Sequence, residues 1–174
     1  MIVLPAGASF DGYPSRGELE SSPGYPSRRR MESGPVAIIE CVQEIPCNPC
    51  ETACPRHAIR VGEPITSLPV LDEDKCTGCG LCVPACPGLA IFRLHLHYRP
   101  GLATVDFPYE YLPLPEVDTE VDAVGRDGGV LCRGRVVAVQ AGQKTGGTAV
   151  VRLAVPAEFA EEVRSMSGGL EHER

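Results

Sequence analysis

The chain contains no tryptophan, and aromatic residues make up only 5% of its 174 positions. A single large core built on aromatic packing is therefore not expected. With 19 glycines and 17 prolines, small turn-rich units are. Positive charge is also scarce: 16 Lys and Arg stand against 23 Asp and Glu, a formal net charge of −7. A nucleic-acid binder needs a basic stripe, and the densest candidate, Arg28–Arg29–Arg30, sits among Ser, Pro and Gly as a solvated tail would. No apolar run reaches the roughly 18 residues of a membrane span. The apolar start, Met1 to Leu4, breaks at Pro5 without a basic region or a cleavage site, so no secretory signal is read and the cytoplasm is the expected compartment. No G-x-G-x-x-G follows a strand pattern, and Gly142 to Gly147 lacks the spacing of a phosphate loop, so no flavin or nicotinamide site is expected in this chain.

Cysteine is abundant. There are nine, and eight of them fall between Cys41 and Cys86. Disulfides are the plain reading of such a cluster in a secreted chain, but in a reducing compartment the same density points to thiolate–metal bonds.

Three regions are expected. Residues 1–34, rich in Gly, Pro, Ser and Arg, show neither helical nor strand periodicity and read as a disordered tail, with Met31 as an alternative start. Residues 35–97 repeat a pattern of strand, Cys-rich loop, short helix and strand. The first copy runs from Val36–Ile39 to Ala58–Val61, and the second from Pro69–Leu71 to Ala90–Leu94. Residues 98–168 take on a β pattern over Thr104–Phe107, Val130–Gln140 and Thr148–Val155, with turns at Arg126–Gly129 and Gly142–Gly147. Pro156 suits a first helical position, and Phe159, Val163 and Met166 follow at helical spacing, with Gly168 as a stop. The expected fold is α+β: a duplicated two-cluster domain, then a small β-barrel or sandwich closed by one C-terminal helix, with residues 169–174 as a tail.

The second copy reads Cys76-x2-Cys79-x2-Cys82-x3-Cys86-Pro87. Three thiols at i, i+3 and i+6 can wrap three corners of an iron–sulfur cubane, and Gly78 and Gly80 let the backbone pass close to the sulfurs. The helix that follows carries the fourth Cys away to a second cluster. Zinc sites use paired C-x2-C units rather than such a run of three. The first copy matches at Cys47, Cys50, Cys54 and Pro55, but Glu44 stands where the first Cys belongs and the nearest thiol is Cys41. Three arrangements compete there: Cys41 ligating across a longer loop, a three-iron cluster with three ligands, or ligation by Glu44, a harder and poorer partner for iron–sulfur. Crossing the fourth ligands assigns Cys54, Cys76, Cys79 and Cys82 to one [4Fe–4S] cluster, and Cys47, Cys50, Cys86 and Cys41 to the other. Ile39, Ile45, Ile59, Val61, Val70, Leu71, Leu81, Leu89 and Ile91 are expected around the clusters as an apolar shell. His57, and His95 with His97, read as surface positions, and Cys132 as a small buried hydrophobe.

Over about 60 residues this half resembles the bacterial two-[4Fe–4S] ferredoxins. From Val36 to Met166 the chain is also similar to a narrower family, on the phrase Glu40–Cys41–Val–Gln–Glu–Ile–Pro–Cys47–Asn–Pro–Cys50–Glu51 and on Phe107–Pro–Tyr–Glu–Tyr–Leu–Pro–Leu–Pro115. That family is the small iron–sulfur subunit of multi-subunit, FAD-dependent amino-acid or amine dehydrogenases of the proline and hydroxyproline type. The resemblance implies an electron-transfer subunit that is not catalytic alone, Cys41 as a ligand, and FAD-containing dehydrogenase subunits as partners, with a [2Fe–2S] subunit as a further candidate. The residues 1–34 inherit nothing from it. A free soluble ferredoxin with an added docking domain, or an iron–sulfur redox sensor, are the competing readings. The two-cluster reading predicts about eight iron atoms per chain. Iron and zinc analysis of the purified protein checks it, and about four irons, or stoichiometric zinc, would refute it.

Overall fold

A computed structural model describes residues 12–167. In chain order these form α1 (Arg16–Ser21), α2 (Arg28–Glu32), β1 (Val36–Ile39), α3 (Pro49–Ala53), β2 (Ile59–Arg60), β3 (Val70–Leu71) and α4 (Cys82–Ala85). The strands β4 (Ile91–Arg99), β5 (Leu102–Tyr109), β6 (Glu120–Val124), β7 (Val130–Gln140), β8 (Ala149–Pro156) and β9 (Ser165–Met166) follow. The fold is mixed α+β, as the composition implies.

The sequence repeat has a direct structural counterpart. The first strand of the first copy pairs antiparallel with the last strand of the second, setting Ile39 opposite Ile91 and Val36 opposite Leu94. The last strand of the first copy pairs with the first of the second, Ile59 opposite Leu71. All four residues of β1 are buried, which suits a β-branched run with no polar face.

The β half is neither a barrel nor a sandwich. Seven strands make one antiparallel sheet in the order β1-β4-β5-β8-β7-β6-β9. The expected boundary near residue 97 falls inside β4, which pairs with β1 on one side and β5 on the other. The cause is the length of β4: Leu94 and Leu96 are buried while His95 and His97 point the other way, so the strand that closes the repeat runs on to the Gly101 turn. One core reaches from Met31 to Met166 through both halves. β5 also outruns expectation at Pro108, which sits opposite Val150 where β5 pairs with β8 alone, a position that tolerates proline.

Two further expectations are corrected. The C-terminal helix is absent: after β8 there is one 3-10 turn, Ala157–Phe159, and then β9, which pairs with Ala123 and Val124 of β6. Val163 and Met166 bury as an amphipathic helix would bury them, but they do so from a turn and a strand. Gly168 and the tail from 169 lie outside the described residues. The region up to residue 34 is also not a tail where it is described. Ser15 caps α1 reciprocally with Glu18, Leu19 and Met31 are buried, and the Gly24 and Pro23 carbonyls accept from Ile39 N and Leu71 N at 3.2 and 3.0 Å. Residues 1–11 lie outside the described residues. The sequence lacked a periodic signal here because only isolated apolar side chains, rather than a stripe, make these contacts.

Because Met31 belongs to the common core, Met31→Ala should cost about 2–5 kcal/mol of stability. Chemical denaturation of the iron-loaded protein measures this, with faster tryptic cleavage at Arg28–Arg30 expected in the variant.

Candidate metal centre

Each Cys-rich loop leads into a short helix, and the same local chemistry ends both. Cys54 is the C-cap of α3 and Cys86 the C-cap of α4, each followed by the proline that forbids continuation. Each cap sulfur also accepts a backbone hydrogen bond from four residues on. Ala58 N donates to Cys54 Sγ at 3.2 Å, and Ala90 N donates to Cys86 Sγ at 3.5 Å.

The eight cysteines divide into two rings. Cys54, Cys76, Cys79 and Cys82 line one cavity, of about 20 Å³. Cys41, Cys47, Cys50 and Cys86 line another, of about 210 Å³. The fourth Cys of each motif thus stands with the first three of the other. Glu44 is exposed and does not line the second cavity. Among the described residues no three His, Cys, Asp or Glu side chains are grouped so as to hold a metal ion. The donor chemistry is all-thiol, with backbone N–H groups directed at sulfur, and it fits an iron–sulfur group.

Burial raises the pKa of three of these thiols. Burial, with the Cys76, Cys79 and Cys54 sulfurs adding to it, pushes the Cys82 pKa up to about 12. Burial and the Cys86 sulfur push Cys50 up to about 11 and also raise Cys41. All three therefore favour the neutral thiol, and holding iron through them would release their protons.

Cys41 owes its place to the sheet rather than to a tight loop. Glu40 N donates to Ala90 O at 2.8 Å, continuing the β1–β4 ladder to the residue before Cys41. The Glu40 carboxylate is gripped by Arg126 Nη2 and Nε at 2.6 and 2.9 Å and by Arg164 Nε at 2.7 Å. All three side chains are nearly inaccessible. Burial opposes the charge on Glu40, but the two guanidinium groups outweigh it and hold its pKa below the usual carboxylate range. Arg164 also stacks on the Phe92 ring, 4.9 Å from its centroid. The Cys76 loop is fastened in a similar way. Arg93 Nε donates to Gly78 O, while Arg93 and Arg152 share the buried carboxylate of Asp106.

Of the expected apolar shell, Ile39, Ile59, Val61, Leu71 and Ile91 are buried, and Leu89 is partly so. Ile45, Val70 and Leu81 are exposed instead. They occupy loop tips and an edge strand, which place side chains by local turn geometry rather than by burial. His57 and His97 are exposed, and His97 Nε2 lies 2.7 Å from Glu32 on α2. Cys132 is half-buried on β7. Neither the glutamate grip nor the arginine clamps had a sequence signal, because their partners lie up to 124 residues apart.

Residues 69–92 match the 4Fe-4S binding domain family. A subunit of the ion-translocating oxidoreductase complex from Methanosarcina acetivorans is 51% identical over 47 residues, 27% of this chain and 17% of that protein. The polyferredoxin-like subunit of aliphatic sulfonate oxidoreductase from Pyrococcus furiosus is 52% identical over 48 residues, 28% of this chain and 27% of that one. The ferredoxin-type protein NapF of Haemophilus influenzae is 38% identical over 52 residues, 29% and 30% of the two chains. The chain thus spans less than a third of the length of these curated relatives. No solved structure matches it significantly. The cysteine region is a ferredoxin-type [4Fe–4S] electron-transfer segment, homologous to subunits of ion-translocating and other oxidoreductase complexes.

Gly78 has φ +61° and packs so closely that an added Cβ would fall on the Pro35 carbonyl. Gly78→Ala should therefore displace the Cys76 loop and cost about 1–3 kcal/mol. Iron counts and spectra of the reconstituted variant should show damage confined to the group bound by Cys54, Cys76, Cys79 and Cys82.

Proposed function

We propose that the chain is an electron-transfer subunit carrying two [4Fe–4S] clusters. Cys54, Cys76, Cys79 and Cys82 hold cluster one, and Cys41, Cys47, Cys50 and Cys86 hold cluster two. The observation that carries this reading is the pair of four-thiol rings with their fourth cysteines exchanged. Clusters held there would each supply a one-electron couple, and the exchanged fourth cysteines would tie the two sites to each other. Cys50, Cys54 and Cys82 are buried, whereas Cys79 is exposed and marks a route by which electrons can cross the surface. The presence of Cys41 in the lining of the second cavity, which does not include Glu44, supports Cys41 as the fourth ligand.

The electrons come from a flavin-containing dehydrogenase partner and pass to an acceptor. Relatives described as subunits of oxidoreductase complexes support a role inside an assembly. So does the apolar surface at Tyr111 and Leu112, 69% and 84% exposed, which has no use in an isolated carrier. That the partner oxidises an amino acid or amine rests on the resemblance of the Glu40–Glu51 and Phe107–Pro115 phrases. Among the described residues no helix is long and apolar enough to cross a membrane.

Cys41→Ser should convert or destabilise cluster two alone and leave the cluster-one signal intact, while Glu44→Gln should leave both assembled. Paramagnetic resonance of the reduced variants, with iron counted per chain, decides this. Intact clusters in Cys41→Ser beside a damaged one in Glu44→Gln would overturn the ligand assignment.

A further inference from the structure

Arg30 lies in the middle of α2, in the region whose composition reads as a tail, yet its guanidinium reaches the loop of the Cys76 ring. Nη2 donates to Cys76 O at 2.5 Å and to Pro35 O at 2.9 Å. Nε donates to Glu73 O at 2.9 Å, and Nη1 to Gly34 O at 3.3 Å. None of these four bonds goes to a carboxylate. The nearby Glu73 carboxylate is turned instead to Ser27, whose N and Oγ hold it at 2.7 and 2.8 Å. The other arginines that secure the cysteine loops each touch a carboxylate: Arg93 shares Asp106 with Arg152, and Arg126 and Arg164 share Glu40. Arg30 is therefore a partly buried cation held by main-chain dipoles, directly behind a cysteine of one ring.

We propose that Arg30 is a positioning residue for cluster one that also favours its reduced form. This rests on the two-cluster reading above. One-electron reduction adds one negative charge to the cluster, the electron coming from the reductant, and the ligands remain bonded. A fixed positive charge close by in a medium of low dielectric stabilises that added charge, and it does so more strongly than a carboxylate-paired arginine could. The same fork seats the Cys76 carbonyl, so the segment from 12 to 34 sets both the shape and the potential of that site. Arg29, its neighbour on the same helix, lines the same surface pocket beside Glu73 and Cys76, but its side chain is exposed and its charge is screened by water.

The test is a potentiometric titration of the full-length, reconstituted protein, followed by paramagnetic resonance with iron counted per chain. Cluster-one signals are identified as those displaced in Cys79→Ser. In Arg30→Gln the cluster-one reduction equilibrium should shift toward the oxidised form on the order of tenfold, about 59 mV for one electron. Cluster two should not move. Arg30→Lys, which keeps the charge and loses the fork, should titrate near the wild-type value, and Arg29→Gln should match wild type. If Arg30→Gln loses cluster one while Arg30→Lys keeps it, the charge role is supported. Loss of cluster one in both variants would show a purely mechanical clamp and overturn the proposal, as would an unmoved midpoint in Arg30→Gln or an equal shift in Arg29→Gln. Fewer than about eight irons in the wild-type protein would sink the two-cluster reading itself, whereas eight irons with an unmoved midpoint would sink only the role of Arg30.

Discussion

The antiparallel pairing of β1 with β4 is the constraint on which the rest depends. It joins the first strand of one repeat to the last strand of the other, and it thereby sets the chain leaving β1, at Glu40 and Cys41, beside the chain entering β4 after Cys86. A register slip of one residue would turn every side chain of β1 to the opposite face and carry Cys41 away from its ring. The same pairing makes β4 an internal strand with β5 on its far side, so the sheet of the C-terminal half grows directly from the cysteine domain.

Outside the short helices α3 and α4 the cysteine loops have no regular backbone ladder, and so they need anchors from elsewhere. Here the anchors are charged. Arg93 holds the Gly78 carbonyl, Arg30 the Cys76 carbonyl, and Arg126 and Arg164 the carboxylate next to Cys41. Removing ions from water is expensive, and apolar replacements are often as stable. What an apolar side chain cannot do is reach a carbonyl oxygen and fix its direction. A guanidinium fork can, with several donors in one plane. The outer ion pairs extend this grip: Glu161 and Glu162 connect Arg16 and Arg28 of the first helices to Arg126 of the turn between β6 and β7. Three stretches distant in sequence are thereby tied around the two rings.

The two rings also differ in kind. The Cys76 ring follows a tight, glycine-bearing loop whose Cys76 and Gly78 carbonyls are held by Arg30 and Arg93. In the Cys41 ring one thiol comes from a strand end and its position is inherited from the sheet. Replacing a loop cysteine by one on a strand exchanges local control for long-range control, and the buried Glu40 with its two arginines supplies that control.

The sequence by itself determined the chemistry. The spacing of Cys76, Cys79, Cys82 and Cys86 and the proline after the fourth thiol specify a cluster loop through contacts a few residues apart. The exchange of Cys54 and Cys86 between rings follows from short helices that carry each fourth thiol away. The strands of the repeat and those at Val130–Gln140 and Thr148–Val155 were legible for the same reason, since periodicity is local. Only the tertiary structure decided that the two halves share one sheet, that the spacing of Phe159, Val163 and Met166 belongs to a turn and a strand, and that Arg30 faces a cysteine loop rather than solvent. Each of these depends on partners tens of residues distant: β6 for the last strand, β5 for the length of β4, and the Cys76 carbonyl for Arg30. A run of residues carries its own propensity, but the group that satisfies its unpaired strand edge or buried charge is supplied by the rest of the chain.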